Sequence, residues 1–529
     1  MKEEVGMKGW RPSRSLVAIA AAGAMMFTAS IAAAVSGASP YTNTTGVTPG
    51  SLGGGVTGGP MRRAGMALNP GHVGQWLWGT YYDVRPVTNG GTSAADAQDV
   101  NLQILNTNPN NPSWDDYNPN GGLIARVRFR ESKTSREVLD FDIILSCAEV
   151  WTAKVELPSG ASVPRIITAD PIRTATTAGT FTTGQALIGG RNFVIPSGLV
   201  AADIQRGYFE VIAEEALPCE PIDGQVDRTG DTWARLAGDR TPTDALAGEV
   251  ILIRVAAGVS HFYNMEAVTR FRIAGSGSAF FSTSSATPAP TLTNCVGPDN
   301  VSGIATYSNT TDCVNQMNFI LSKSRVMAQY DIQNITGGST RVVFTLATKN
   351  YFCNLNGGQT DFNGVPVPPF SCQGVNGAQG GEQIGCLPYN RIEDFPASED
   401  IFSPGESDVC RLPREMTILN VQASDSPTSL GVTSVSDVQI DVDTIPREHL
   451  AGWVDFDLYR DPLIPSQLHE QFGLDFNKVD LLGVGYSRYR GLPVLTLILQ
   501  EYLNSTLSPV GVYGGALPAP YEVFIAFGS

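Results

Sequence analysis

Strict alternation of apolar and polar side chains is the feature that most restricts the folds open to this chain. From Leu123 to Arg130, Leu123, Ala125, Val127 and Phe129 point one way while Arg126, Arg128 and Arg130 point the other. That is the mark of a half-buried strand, whose side chains change face at every residue. Val138 to Leu145 repeats it, with Leu139, Phe141, Ile143 and Leu145 opposite Asp140 and Asp142, and Trp151 to Leu157 repeats it again with Trp151, Ala153, Val155 and Leu157 opposite Thr152, Lys154 and Glu156. Short polar connectors at Glu131 to Ser135 and Ser146 to Glu149 make these antiparallel hairpins. As neighbours, the first two strands set Arg126, Arg128 and Arg130 against Asp140 and Asp142, a cross-strand charge pairing that takes precedence over an anion-binding site.

Asn101 to Leu105, entering the turn Asn106 to Asn110, adds a strand, and the unit predicts an immunoglobulin-like sandwich edge. Further strands are expected at Tyr208 to Ala213, Glu249 to Ala256, His261 to Phe271, Thr340 to Lys349, Glu415 to Val421, Val438 to Val442 and Gly452 to Leu458. With 56 Gly and 34 Pro among 529 residues, turns are favoured over long helices. One segment breaks the rhythm: Thr311 and Asp312 can cap a helix from Cys313 to about Ala328, with Val314, Met317, Ile320 or Leu321, and Ser324 at helical spacing. The fold class expected is therefore all-β, antiparallel immunoglobulin-like β-sandwiches with one short helix in the second half.

The first residues carry Lys2, Lys8, Arg11 and Arg14 and give way to an apolar run from Leu16 to about Ala34, the layout of a secretory signal peptide. Ala32 with Ala34, and Ser36 with Ala38, offer cleavage after Ala34 or Ala38; an uncleaved anchor is the alternative. The expected organisation is a signal peptide over 1–38, a Gly/Thr/Ser-rich leader over 39–71 too poor in apolar side chains to order itself, a β-sandwich domain over 72–285 and a disulfide-containing β domain over 286–529. The Ser/Thr/Pro-rich stretch Gly275 to Pro290 supplies that last boundary. Beyond the signal segment no membrane span is expected.

Formal net charge is -16. Such a surface repels phosphate, which excludes nucleic acid as a partner, and attracts divalent cations. Eight cysteines in an exported chain read as disulfides, with Cys295–Cys313 and Cys353–Cys372 the first pairings to test on proximity.

The blocks Gly122 to Glu131, Ser135 to Phe141, Leu145-Ser146 and Val150 to Ala153 resemble a group of exported, β-rich proteobacterial proteins, mostly uncharacterised and sometimes labelled cell-surface proteins. Tyr81-Tyr82 before Asn106-Thr107, Gly207 to Ile212, Thr340 to Thr345, Thr348-Lys349 and Gly491 to Val494 fit the same group, so the likeness touches most of the chain after the leader. It implies an exported β-rich protein and brings no catalytic residue with it. Where the group tends to have Leu-Ser-Pro, this chain has Cys147.

Chemistry-bearing patterns are few. The histidines His72, His261, His449 and His469 stand in unrelated contexts, and Gly258-Val259-Ser260-His261 approaches a nucleophile elbow but fails at its last position. Asp116, Asn118 and Asn120, in Asp116 to Gly121, match the opening of a calcium loop, but its twelfth position is Val127 where a bidentate Glu belongs, so a plain turn is the competing reading. Asp441 with Asp443, and Asp455 with Asp457, are further cation candidates at strand ends. Trp76, Trp78, Tyr81 and Tyr82 could form a sugar-stacking platform, with core packing preferred because Trp76, Trp78 and Tyr82 share a strand face. The sequence thus predicts no catalytic residue, no cofactor other than a candidate Ca2+, and a cell-surface structural or interaction protein that assembles with itself or with envelope components. A glycan-binding adhesin is the alternative, and an extracellular hydrolase using His261 or His449 ranks third.

Overall fold

The computed structural model describes residues 67–86, 98–109, 120–177, 180–184, 187–222, 224, 230–234, 243–254, 259–269, 271–273, 295–296, 317–318, 320–333, 338–350, 370, 382–390, 409–423, 437–442, 450–458, 474–475, 487–504, 511–519, 521–522 and 524–527. Its architecture is all-β. The first half supplies two sheets. A nine-stranded sheet has Trp76–Asp83, Arg206–Leu217, Gly122–Glu131 and Glu137–Leu145 side by side at its centre. A six-stranded sheet runs Arg191–Asn192, Arg165–Ile167, Val150–Glu156, Asp99–Asn106, Leu246–Arg254 and Val259–Asn264. The second half supplies two five-stranded sheets. One centres on Ala451–Asp457, flanked by Glu382–Asn390 and Arg325–Asp331; the other centres on Gly338–Thr345, flanked by Met416–Ala423 and Leu495–Asn504. Pairing within these four sheets is antiparallel, except for the parallel Met416–Ala423 and Val438–Val442.

Inward apolar residues of facing sheets meet as the alternation requires. Phe141 and Trp151 approach to 5.8 Å across the first sandwich, and Phe344 packs edge-on against Phe456 at 4.9 Å in the second. One apolar core holds residues of both halves, from Trp76 to Ala519. Trp76–Asp83 is buried along its whole length, and Thr345 of the second half donates to the Thr80 carbonyl at 2.7 Å. Gly79 in this strand lies against Phe209, whose ring atoms would meet an added Cβ at 2.2 Å. The glycine therefore sets how closely the two central strands approach. The Arg272–Ile273 strand pairs with Cys295–Val296, so hydrogen bonds cross the boundary expected at residue 285.

Two expectations need correction. The helix expected from Cys313 to about Ala328 is confined, among the described residues, to 317–318 and 320–321; Arg325–Asp331 is a strand paired with Ala451–Asp457. Val326, Ala328 and Tyr330 alternate inward there, and that period-two burial prevails over the helical spacing read upstream. Likewise His261 to Phe271 is not one strand. It breaks at buried Met265, whose N–H bonds the Gly248 carbonyl at 2.8 Å, and the chain switches from the six-stranded to the nine-stranded sheet, the corner of a sandwich.

Disulfides Cys147–Cys219 and Cys386–Cys410 are formed. The first joins the residues that follow Glu137–Leu145 and Arg206–Leu217, the two strands on either side of Gly122–Glu131. The second spans the paired strands Glu382–Asn390 and Val409–Leu412, where Ile384 faces Cys410 in the ladder. Of the pairings Cys295–Cys313 and Cys353–Cys372, Cys313, Cys353 and Cys372 lie outside the described residues.

Candidate functional site

Charged side chains gather inside the molecule rather than on its rim. The arginine stripe is the first case. Arg126 and Arg128 stand opposite Asp142 and Asp140 in the strand register, as expected. Arg126 pairs with Asp140 and, at 2.5 Å, with Asp142; Arg128 reaches Glu137 and Glu210 at 3.0 Å each, and Arg130 reaches Glu210 at 2.9 Å. The alternation foretold the pairing but not the burial. Arg128 is 1% exposed and Glu210 fully buried, because Arg206–Leu217 contributes its own carboxylates to a covered face. Positive charges so engaged leave no anion site.

Where the two halves meet, a second set of ion pairs forms. Arg206 makes a bidentate pair with Asp437, and Arg414 reaches Asp203 at 3.3 Å and Asp437 at 3.1 Å. Met416 N–H donates to the Ser132 carbonyl at 2.9 Å, and the Tyr208 hydroxyl donates to the Ala347 carbonyl at 3.3 Å. Glu501 lies at the centre of a cage of Arg254 at 2.5 Å, Arg341, and His261 Nε2 at 3.6 Å. Burial alone would raise its carboxyl, but Arg341, Arg254 and His261 outweigh burial and hold it down at about 2. His261 is pushed down to about 4 by burial, against the pull of Glu501.

Among the described residues this cage comes nearest to a catalytic imidazole beside an acid, and its geometry is wrong for hydrolysis. A carboxylate clamped by two arginines accepts no proton near neutrality. Ser260 lies in a regular antiparallel ladder opposite Ile253 rather than on a strand-to-helix elbow. An added Cβ on Gly514 would meet the His261 ring at 2.5 Å, so that backbone lids the imidazole. His72 is apart from this cage, with Nδ1 3.0 Å from the Met265 carbonyl; His449 and His469 lie outside the described residues.

A third cluster contains Lys349, Glu382 and Glu415. Lys349 Nζ lies 3.0 Å from Glu382 Oε1, with side chains 5% and 0% exposed. Lys349 follows the Gly338–Thr345 strand in a turn closed by its own N–H to the Leu346 carbonyl at 3.0 Å, and Leu346 N–H donates to the Glu415 carbonyl at 2.7 Å. Neither Glu415 carboxyl oxygen has a hydrogen-bond partner in good geometry, and burial lifts this group to about 7 against the opposing Lys349 and Ser135. Sequence reasoning missed this cluster; Lys349 and Glu415 entered only as ends of the expected strands Thr340 to Lys349 and Glu415 to Val421 and, for Lys349, through the resemblance, and nothing in the spacing of Lys349, Glu382 and Glu415 joins them.

Of the calcium candidates, Asn120 lies in an exposed turn, while Asp116 and Asn118 are outside the described residues. Asp443 is also outside them, and Asp455 is engaged by Arg325 at 2.7 Å. No group of three or more potential metal ligands occurs among the described residues. Trp76, Trp78, Tyr81 and Tyr82 are all fully buried, so they pack the core and offer sugars no platform. No helix among the described residues is long and apolar enough to cross a membrane.

A different feature does face outward. Ile188, Val194, Ile195 and Val200 are 39–66% exposed around the short edge strand Arg191–Asn192, which ends the six-stranded sheet. The segment is pinned from beneath, by Phe193 N–H to the Pro164 carbonyl and Val194 N–H to the Val138 carbonyl. No family model, curated protein or solved structure matches the chain.

Proposed function

We propose that this is an exported, non-enzymatic structural protein of the cell surface that assembles with copies of itself. The observation that carries the reading is the aliphatic segment at the edge of the six-stranded sheet. Single exposed apolar residues are ordinary, but several on one rigid segment mark an interaction surface. An edge strand with open backbone groups is the standard template for strand addition. The occupant is a second copy of the chain. From Leu187 to Ala202 there is no acidic residue, and Arg191 lies exposed within it, on a protein of net charge -16. Here copies approach without the repulsion that the remaining surface imposes, and Arg191 meets an acidic neighbour. Divalent cations between acidic faces would add to such an assembly. The resemblance to exported surface proteins and the signal-like first 38 residues agree with this placement.

The test is sedentation of the purified mature chain by analytical ultracentrifugation, with and without a chelator, beside the double variant Val194→Asp/Val200→Asp. Assembly lost in the variant while circular dichroism stays unchanged supports the reading. A wild-type chain that stays monomeric at all concentrations and calcium levels overturns it, and chelator-insensitive assembly removes the cation part.

A further inference from the structure

We propose that Lys349 and Glu382 become joined by an amide bond between Lys349 Nζ and Glu382 Cδ, with Glu415 as the proton shuttle. Lys349 Nζ sits 3.0 Å from Glu382 Oε1, so the amine is held beside the carboxyl whose carbon it attacks. The surroundings exclude water: Phe344, Leu346, Ala347 and Thr348 are fully buried, as is Glu382, and Glu415 is 2% exposed. A dry site favours condensation because the product amide is neutral, whereas the ammonium and carboxylate it replaces are costly to keep out of water. Glu415 supplies the remaining element. Leu346 N–H to the Glu415 carbonyl at 2.7 Å fixes this buried residue beside the turn that holds Lys349, and burial keeps a proton on its carboxyl up to about pH 7.

The step balances as a condensation. Lys349 is held above its usual value, since Glu382 and Glu415 outweigh its burial, so reaction begins when its proton passes across the ion pair to Glu382. The neutral amine attacks Cδ of the protonated Glu382. The carboxyl hydroxyl takes the Glu415 proton and leaves as water, and a proton from the nitrogen restores Glu415. One C–N bond forms, one C–O bond breaks, one water departs and no oxidant is consumed. Each chain turns over once.

Lys323 shows what sets this lysine apart. It is equally buried and its amine is pushed down to about 8, but its Nζ faces the Thr496 hydroxyl at 3.0 Å and the Tyr521 ring, and Glu266 acts on it only from beyond ion-pair distance. The bond would tie the end of the Gly338–Thr345 strand to the start of Glu382–Asn390, which belong to different sheets of the second sandwich.

Intact-mass measurement on the folded, then reduced and alkylated, full chain decides the matter. The expected mass is lower than the sequence mass by one water, and a tryptic digest should hold a branched peptide with no cleavage after Lys349. Full mass with normal cleavage at Lys349 overturns the bond. The variant Glu415→Gln, checked for folding by circular dichroism, should recover the full mass; a water deficit as complete as in the wild type overturns the shuttle role. Neither readout depends on the assembly proposed above.

Discussion

Glu501 and Glu415 are the same kind of side chain, both almost wholly buried, and shifted in opposite directions. Glu501 has two guanidinium groups and an imidazole around it and is held down at about 2; at Glu415 burial, with Glu131 beside it, outweighs Lys349, Ser135 and Arg130, and the carboxyl rises to about 7. Burial pushes both upward, so the difference lies in direct pairing: two arginines contact Glu501, whereas Lys349 is paired with Glu382. The comparison teaches that the interior contains two electrostatic regimes. One is a saturated cage that fixes a charge where the halves meet, and the other a carboxyl-rich site that keeps a proton.

The comparison breaks most readily at the cage. Arg341→Ala should destabilise the protein by about 3–5 kcal/mol in urea denaturation, because a buried carboxylate loses a partner and cannot reach water. A loss below about 1 kcal/mol would show that Glu501 is not the fixed charge described.

The pH dependence sharpens it next. His261 has a folded value below its unfolded one, so its contribution is present above about pH 6.5 and is lost as pH falls towards about 4. Glu501 adds to that acid limb, losing its contribution between its ordinary value of 4.5 and about 2. Glu415 has the opposite sign: the folded chain binds its proton more tightly, so stability falls as pH rises from 4.5 to about 7. In the wild type the two trends oppose each other between pH 4.5 and 6.5. His261→Asn should therefore unmask a decline in stability with rising pH across that window, on the order of 2 kcal/mol. Glu415→Gln should do the reverse and steepen the acid loss by a similar or smaller amount, whatever its effect on absolute stability. Denaturation midpoints at half-unit pH steps check both, and parallel pH profiles for the two variants would remove the contrast.

The smallest effect is expected at the edge segment. Val194→Asp/Val200→Asp should change stability by no more than about 0.5 kcal/mol per site, since neither side chain is buried. Larger losses by thermal denaturation would mean that the segment supports the fold rather than contacts between copies.

Much of the fold could be read from alternation alone. Leu123 to Arg130, Val138 to Leu145 and Trp151 to Leu157 appear as strands within a residue or two of their expected ends, and Val438–Val442 appears at its expected bounds. The charged faces were harder. Alternation distinguishes the two faces of a strand, but whether the polar face meets water depends on which strand lies beyond it. Lys154 is half-buried as its pattern suggests, while Arg128 and Arg130 are enclosed by Glu210 from Arg206–Leu217, remote in sequence. The cages were not legible at all. Glu501 is drawn from the second half to Arg254 and His261 of the first, and no local spacing carries that information.

The Glu501 cage also has a consequence for the order in which the chain is made. Arg254 is synthesised first, then Arg341, and the carboxylate that neutralises them arrives only with the later strand Leu495–Asn504. A product cut short before that strand would enclose cations with no counterion, and so would open readily to proteolysis. Synthesis of that strand is thereby registered in the interior of the fold, without any dedicated sensor.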